Sequence, residues 1–260
     1  MRSFPRLLLA LSIATMAGTT PARGGTCTAK SGESTLPLVE LFTSEGCDSC
    51  PPADRWLTAQ FPAGRPAPAA TVLAFHVDYW DRLGWKDRFA SPRYTERQYA
   101  EAHAAGATFV YTPQVLVQGR DAAWRGGAVA GQLATASARP ARATITLDAD
   151  QAAPGLLKVR ATVAIADPAL RRDAALWLAW TDSGLSSEVK AGENRGVRLA
   201  HDHVVRSWSG PFAPGGNGAI EATATLARPA EAGQSPALVA VVQDTKTGDV
   251  LQTLTLPACL

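Results

Sequence analysis

The strongest constraint on the fold is a short stretch in which an apolar run meets a glycine turn and then two closely spaced cysteines. It covers residues 39–54 and reads Val-Glu-Leu-Phe-Thr-Ser-Glu-Gly-Cys-Asp-Ser-Cys-Pro-Pro-Ala-Asp. Consecutive prolines are compatible with a helix only in its first turn, where their missing N–H groups have no partner inside the helix. The stretch therefore predicts a strand, a tight turn and a helix that starts near Cys50, with Cys47 at the N-terminal end of that helix.

Two thiols at a helix N-terminus have a chemical consequence. The helix end carries partial positive charge and free N–H donors, which stabilise a thiolate. Cysteines separated by two residues can also form a small, exchangeable disulfide. We therefore expect Cys47, nearer to solvent, to be the nucleophile and Cys50, one turn inside, to be the resolving thiol. The carboxylate of Asp48 next to Cys47 opposes thiolate formation, which predicts a weak rather than a strong oxidant.

Other interpretations of the cysteine pair stay open. A zinc site needs a second Cys or His pair at ligand spacing, and the four histidines of the chain do not supply one. Copper(I) held by Cys47, Cys50 and His76 suits the softness of thiolate ligands. An inert local disulfide is the third interpretation. No bound cofactor is expected.

The chain that follows alternates strand and helix patterns. A continuous apolar run at 71–77 predicts a buried parallel strand, and Ser91 before Pro92 predicts a helix to about residue 105. Pro113 opens the next apolar run, where a residue without a backbone N–H is unusual. A thioredoxin fold has a cis-proline there, facing the cysteines, and the preceding backbone, here that of Thr112, pairs with a substrate peptide. We therefore predict a thioredoxin-like α/β domain over residues 35–138.

Glu40 is a charged residue inside the first apolar run. It is a candidate for a buried carboxylate that passes protons to the resolving cysteine. The alternative is a carboxylate at the edge of a strand that faces solvent.

The pattern changes after a linker at residues 139–143. Short runs with a period of two follow one another, and Gly, Pro, Asn and Asp turns separate them. Regularly spaced strands without helices predict an all-β part, a β-sandwich domain over residues 143–259. Its most polar stretch, residues 191–206, either docks near the cysteines or contacts a partner, or it forms a loop held by its own Arg and Glu pairs.

The N-terminus has the pattern of an export signal over residues 1–22. Arg2 and Arg6 precede an uncharged apolar stretch that is too short to span a bilayer comfortably, and small residues follow it. We expect signal cleavage, a periplasmic or secreted protein and no stable membrane insertion afterwards; an uncleaved anchor is the alternative. The net charge of +2, without a basic cluster, argues against nucleic acid as a partner.

Export also affects how the cysteines are interpreted. In an oxidising compartment, an even number of cysteines favours disulfides. If Cys47 and Cys50 pair locally, Cys27 and Cys259 remain and would join the two ends of the mature chain. The alternative is that one of them is a free thiol.

Four motifs carry a family resemblance: Cys-Asp-Ser-Cys-Pro-Pro-Ala-Asp at 47–54, His-Val-Asp-Tyr-Trp-Asp at 76–81, Tyr-Thr-Pro-Gln at 111–114 and Gly-Glu-Asn-Arg-Gly at 192–196. Together they resemble a bacterial family of secreted thioredoxin-like proteins catalogued as a domain of unknown function. The resemblance implies a thioredoxin-like fold with a β-rich C-terminal part and no established reaction.

These observations together lead us to expect an exported thiol–disulfide oxidoreductase that acts on protein thiols or disulfides through the CxxC pair. A membrane electron donor is a candidate partner. The alternative is a copper-handling or non-catalytic binding module on a thioredoxin scaffold.

Overall fold

The computed structural model describes residues 26–64, 69–153, 155–227, 231 and 233–257. The expected signal at 1–22 and Cys259 lie outside these residues, so the export signal and the Cys27–Cys259 bridge stay predictions. The described chain has mixed α/β content in which strands predominate, arranged in large sheets. None of the described helices is long and apolar enough to cross a membrane.

The first half of the chain alternates strands and helices. In chain order, the elements are β1 (Cys27–Lys30), β2 (Leu38–Thr43), α1 (Pro51–Gln60), β3 (Thr71–His76), α2 (Pro92–Ala104), β4 (Gln114–Val117), β5 (Arg120–Asp121) and α3 (Ala128–Ser137). The predicted helix starts are confirmed. The two prolines occupy the first turn of α1, and the Ser91 hydroxyl caps α2 by accepting from the Arg93 N–H.

The second half consists mainly of strands. They are β6 (Thr144–Ala153), β7 (Leu156–Ala164), β8 (Ala174–Asp182), β9 (Leu185–Glu188), β10 (Arg198–His201), β11 (Val204–Phe212), β12 (Ile220–Ala227), β13 (Ala237–Asp244) and β14 (Val250–Pro257), with one short helix, α4 (Pro168–Arg171). The period-two runs are confirmed as strands. The expectation of no helix was wrong at α4, and β1, β9 and β10 were not predicted because four-residue strands are too short to show a period.

The main sheet of the described residues has eight strands in the order β14-β13-β8-β11-β3-β2-β4-β5. β2 runs parallel to β3 and antiparallel to β4. β11 pairs in parallel with β3 where Val204 lies opposite Ala74. The sheet thus contains strands from both predicted domains; the boundaries at 138 and 143 stay predictions, but strand pairing joins the two parts.

A second sheet, with the order β1-β6-β7-β12, faces the C-terminal strands of the main sheet. Residues of β7 alternate between exposed and buried along the strand, as expected when one face of a sheet is solvated. The buried faces share a core that includes Ile145, Val159, Leu178 and Leu238. Burial of these side chains supplies the main stabilisation of this half.

Alternation along β2 separates its side chains onto the two faces of the main sheet. Val39 and Leu41 belong to the core that also contains Leu57 of α1. Leu38 and Phe42 belong to the core that contains Tyr94 of α2. The sheet therefore has an α1 face and an α2 face, and this division decides which side chains can reach the cysteine pair.

Candidate functional site

The cysteine pair lies between the end of β2 and the start of α1. Cys47 and Cys50 form a disulfide with their Cα atoms 5.4 Å apart, so the predicted local pairing is confirmed. Cys50 is the N-cap residue of α1, and its carbonyl accepts from the N–H groups of Ala53 and Asp54. The pair therefore lies in the positive field of the helix N-terminus.

Cys47 is not near solvent, contrary to expectation. Both cysteines have 0% exposed surface. On one side, the hydroxyls of Ser49 and Thr112 each lie 3.4 Å from the Cys47 Sγ. On the other side, the turn is covered by a segment more than a hundred residues later in the chain, described below.

The structure brings Thr112 and Pro113 to the cysteine pair. The Thr112–Pro113 peptide is cis. The Thr112 hydroxyl donates to the Cys47 Sγ and accepts a 2.8 Å hydrogen bond from the Trp80 indole N–H. Within the described part of the chain, neither the N–H nor the C=O of Thr112 has a hydrogen-bond partner. A backbone edge with free polar groups therefore lies next to the disulfide.

An open groove of about 540 Å³ adjoins this edge. Its walls include Ser49, Tyr111, Thr112, Trp124 and Arg125. The Arg125 guanidinium lies 4.5 Å from the centre of the Trp124 ring, which it covers. Because Ser49 and Thr112 line the groove and also contact the Cys47 sulfur, the groove ends against two of the side chains that cover this sulfur.

The polar stretch at residues 191–206 docks near the cysteines, which was one of the two structural alternatives expected from the sequence. Its central part, residues 192–196, connects β9 to β10 and reaches the Cys47 turn. The Asn194 side-chain amide donates to the carbonyl oxygens of both Glu45 and Cys47, each at 2.9 Å. The Asp48 N–H donates to the Glu193 carboxylate at 3.3 Å. We call residues 192–196 the covering segment.

Beneath the cysteine turn lies a set of buried charged side chains that we call the histidine cluster: Glu45, His76, Asp87 and His201, each at most 3% exposed. His76 Nδ1 lies 2.6 Å from the Asp87 carboxylate, which also accepts from the Glu45 N–H at 2.9 Å. His201 Nε2 lies 3.3 Å from the Glu45 carboxylate. The cluster thus joins the end of β3, the loop before α2 and the end of β10.

The charges of this cluster stabilise one another. Burial lowers the pKa of His76, but the Asp87 carboxylate outweighs it, and the pKa of His76 is raised. Burial raises the pKa of Asp87, but His76 outweighs it, and that pKa is lowered. Burial and the Asp87 charge raise the pKa of Glu45, but hydrogen bonds from His201, Ser187 and Trp85 together outweigh them, so that pKa is lowered. Burial raises the pKa of the nearby Asp54, whose carboxylate accepts from Thr43.

Glu40 is buried but does not reach the cysteines. It lies on the α2 face, where its carboxylate accepts from Arg97 at 3.0 Å. Arg97 also pairs with Glu101 at 2.9 Å and donates to Gln243 at 2.7 Å. Burial, opposed by Arg97 and assisted by Glu101, raises the pKa of Glu40 to about 7. We call Glu40, Arg97, Glu101 and Gln243 the arginine cluster.

The copper alternative has no assembled ligand set. Among the residues that the structure describes, no group of three His, Cys, Asp or Glu side chains is placed to hold a metal ion. Cys47 and Cys50 are bonded to each other, and His76 Nδ1 is held by Asp87.

Sequence reasoning missed Glu45, Asp87, Asn194 and His201 as site residues. Glu45 could have been found from its position two residues before Cys47. The other three lie far away in the chain: Asn194 belongs to the Gly-Glu-Asn-Arg-Gly motif and His201 to the polar stretch 191–206, whereas Asp87 belongs to neither.

Comparison with protein families gives a match over residues 38–243 to the family described as a protein of unknown function (DUF1223). The match covers more than half of the chain, and the chain belongs to this family, as the motifs predicted. No curated protein matches the sequence.

Two solved structures are similar in fold. Protein AGR_C_4864 from Agrobacterium tumefaciens is 24% identical, with a TM-score of 0.57 over 87% of this chain and 96% of that one. HBP35 of Porphyromonas gingivalis is 13% identical, with a TM-score of 0.60 over 86% of this chain and 76% of that one. At these identities the likeness concerns the fold alone.

Proposed function

We propose that this DUF1223 member is an exported thiol–disulfide oxidoreductase that acts on protein thiols or disulfides through Cys47 and Cys50. The observation that carries the proposal is the Cys47–Cys50 disulfide at the start of α1 with the Thr112 hydroxyl 3.4 Å from the Cys47 sulfur. An inert staple needs neither a helix N-terminus nor a hydroxyl donor aimed at one sulfur. Both features stabilise a thiolate on Cys47.

The reaction follows ordinary thiol–disulfide exchange. In the reduced protein, the Cys47 thiolate attacks a substrate disulfide, forms a mixed disulfide and releases one substrate thiolate. The Cys50 thiolate then attacks the Cys47 sulfur, re-forms the Cys47–Cys50 bond and releases the second substrate thiolate. The substrate gains two electrons and the protein loses two; the reverse sequence oxidises a substrate dithiol. Periplasmic or secreted location is part of the proposal, as is a membrane electron donor that resets the pair.

The groove beside Thr112 is the proposed binding place for the substrate chain. An extended peptide there can pair with the free N–H and C=O of Thr112, as an added strand pairs with a sheet edge. Trp124 and Tyr111 offer apolar surface, and Arg125 offers a cation. These features favour an unfolded segment with aromatic or acidic residues near its cysteine.

The finer description of the fold belongs to the same proposal. The neighbouring strands β3-β2-β4-β5, with α1 and α3 contributing to one face and α2 packed on the other, support a thioredoxin-like domain. The two facing sheets around one core support a β-sandwich in the C-terminal half.

A second candidate function is a binding module with a fixed disulfide. One observation favours it: neither cysteine has exposed surface. In that case the Cys47–Cys50 bond would resist reducing partners, and the groove would bind without turnover.

Trapping separates these candidates. Cys50→Ala leaves the attacking thiol without its resolving partner and should accumulate a mixed disulfide with scrambled, disulfide-containing protein substrates. Cys47→Ala, the matched control, should accumulate none. Insulin reduction with dithiothreitol as the electron source should be fast with the wild-type protein and fall to the background rate in both variants. Equal insulin reduction by wild type and Cys47→Ala would overturn the proposal.

A further inference from the structure

The covering segment is the tip of a hairpin whose base packs against the rest of the molecule: Arg88 donates to Ser186 and Ser187 of β9, and His201 of β10 lies beside Glu45. β9 and β10 form a separate two-stranded ladder, and the Val189 and Gly196 N–H groups close the turn by donating to Val197 and Val189. At the tip, Glu193, Arg195 and Gly196 are exposed, whereas Asn194 is only 6% exposed. A hairpin tip with one buried polar residue is anchored mainly through that residue.

The Asn194 side chain attaches the hairpin tip to the turn that contains Cys47. Its two 2.9 Å hydrogen bonds go to the carbonyls of Glu45 and Cys47, the residues on either side of Gly46. The tip also fits closely at Gly192, where an added Cβ would lie 3.3 Å from the Trp85 Cβ. The φ of Gly192 is +71°, a left-handed conformation that favours glycine. The tip is therefore fitted to the site at two points.

An attacking thiolate must reach the Cys47 sulfur along the line of the S–S bond. With 0% of either cysteine exposed, this approach is blocked in the closed arrangement. Thr112 lies two residues before β4 of the main sheet, whereas the covering segment is the tip of a hairpin outside that sheet. The element that can move at the smallest cost is the covering segment, because its movement breaks no ladder of the main sheet.

We propose that Asn194 is a positioning residue that holds the covering segment closed over the cysteine pair, so that the site excludes folded proteins and admits small thiols or extended chains when the tip opens. The proposal deepens the redox function above and rests on it for its biological meaning. Release of the two carbonyls by Asn194 opens the turn and frees Cys47 at the same time. The C-terminal half would thereby determine which substrates the cysteines meet.

The test measures the rate at which the oxidised, full-length protein is reduced by two probes of different size, dithiothreitol and a folded reduced thioredoxin. Thiols are quenched by alkylation and counted by mass spectrometry. Asn194→Ala and Asn194→Asp remove the amide donors and should raise both rates, by about tenfold or more. The rate with the protein probe should rise more than the rate with dithiothreitol. Arg195→Ala, an exposed neighbour in the same tip, should stay within about twofold of wild type.

A pair of glycines gives a second test that leaves Asn194 intact. Gly192→Ala forces a side chain toward Trp85, whereas Gly196, also left-handed at +84°, has no atom within 4 Å of an added Cβ. Gly192→Ala should accelerate reduction more than Gly196→Ala does. Thermal unfolding of each variant checks that the fold is retained, since an unfolded chain would expose the disulfide to both probes.

The outcomes separate this proposal from the redox function. Faster reduction of Asn194 variants without any insulin turnover would leave the covering role standing and overturn the enzyme. Insulin turnover with equal rates and equal probe ratios in wild type and Asn194→Ala would overturn the covering role and leave the enzyme standing.

Discussion

Two groups of buried charges lie on opposite faces of the main sheet, and they differ in the cation that balances the carboxylates. On the α2 face, the arginine cluster places one guanidinium between Glu40 and Glu101, and the rings of Trp177 and Trp208 each lie 5.3 Å from it. On the α1 face, the histidine cluster places the imidazole of His76 beside Asp87 and that of His201 beside Glu45.

The choice of cation decides what each group can do. A guanidinium stays charged at every physiological pH and has a planar donor set suited to two carboxylates, which makes it a fixed joint between α2 and the sheet. An imidazole gains and loses its proton in the physiological range. The imidazoles lie under the disulfide, and the permanently charged guanidinium lies away from it, where the titrating partner is Glu40 with a pKa of about 7. A buried carboxylate that is near a CxxC motif in the sequence can therefore be assigned a role in the cysteine chemistry only when it is known to lie on the same face of the sheet as the cysteines.

The largest expected effect is a loss of stability on disruption of the arginine cluster. Arg97→Met leaves Glu40 and Glu101 buried without a cation and should lower the free energy of unfolding by about 3–5 kcal/mol. Urea denaturation at pH 7.5 measures it. Arg93→Met, at an exposed position on the same helix, is the control and should change stability by less than about 0.5 kcal/mol. A small effect of Arg97→Met would mean that this cluster is not a structural joint.

The next effect concerns the histidine cluster and pH. Asp87→Asn removes the charged partner of His76 and should cost about 2 kcal/mol near neutral pH. Because the folded pKa of His76 is raised above its ordinary 6.5, the pair's contribution is present below that pH and is lost as pH rises through the folded value. Because the pKa of Asp87 is lowered from 3.8, the contribution is also lost in strong acid as Asp87 becomes protonated.

Unfolding measured from pH 5 to pH 9 should therefore show a decline in wild type that is much weaker in Asp87→Asn. The exposed His103 gives the control, since His103→Gln should keep the wild-type profile. Identical profiles for wild type and Asp87→Asn would contradict a charged His76–Asp87 pair.

A smaller effect is expected on the pKa of the cysteine thiols, and it distinguishes the two faces of the main sheet. Asp54 lies one turn after Cys50 in α1, whereas Glu40 lies on the other face. Asp54→Asn removes a negative charge near the reduced pair and should lower a thiol pKa by about one pH unit. Glu40→Gln should leave the thiol pKa values unchanged. In the wild-type protein, Glu40 ionises at lower pH in the unfolded chain than in the fold, so the free energy of unfolding falls as pH rises from 4.5 to about 7. Glu40→Gln should weaken this fall.

Thiolate absorbance at 240 nm and urea denaturation measure these two responses. A change in thiol pKa with Glu40→Gln of the same size as with Asp54→Asn would break the division between the two faces.

The smallest effect is expected at the surface. Asp48 is exposed between the cysteines, so solvent screens its charge. Asp48→Asn should lower the Cys47 pKa by only about 0.3 pH unit. Alkylation rates as a function of pH measure this pKa. If the Cys47 pKa does not fall in Asp48→Asn, the Asp48 charge does not explain the expected weak oxidising power.

Much of the local structure could be predicted from the sequence. The prolines after Cys50 mark the start of α1, Ser91 marks the start of α2, and the period-two runs mark the strands of the second half. Each of these signals depends on neighbours a few residues apart, which is the range over which backbone sterics and side-chain periodicity act. The cysteine pair followed from the same local signals, whereas the position of Pro113 beside it was expected from the pattern of the thioredoxin fold.

The tertiary structure decided which distant residues complete the site. Alternation along β2 already groups Glu40 with Phe42, but only the packing of the helices decides that this face carries α2 and not α1. Asn194 meets Cys47 across nearly 150 residues, because β11 adds to the main sheet beside β3 and carries the β9–β10 hairpin with it. No local propensity encodes such a contact, since its free energy comes from desolvation and hydrogen bonds that exist only after both halves have folded together. The sequence by itself determined the disulfide and its helix, and the joined sheet determined that the disulfide is covered.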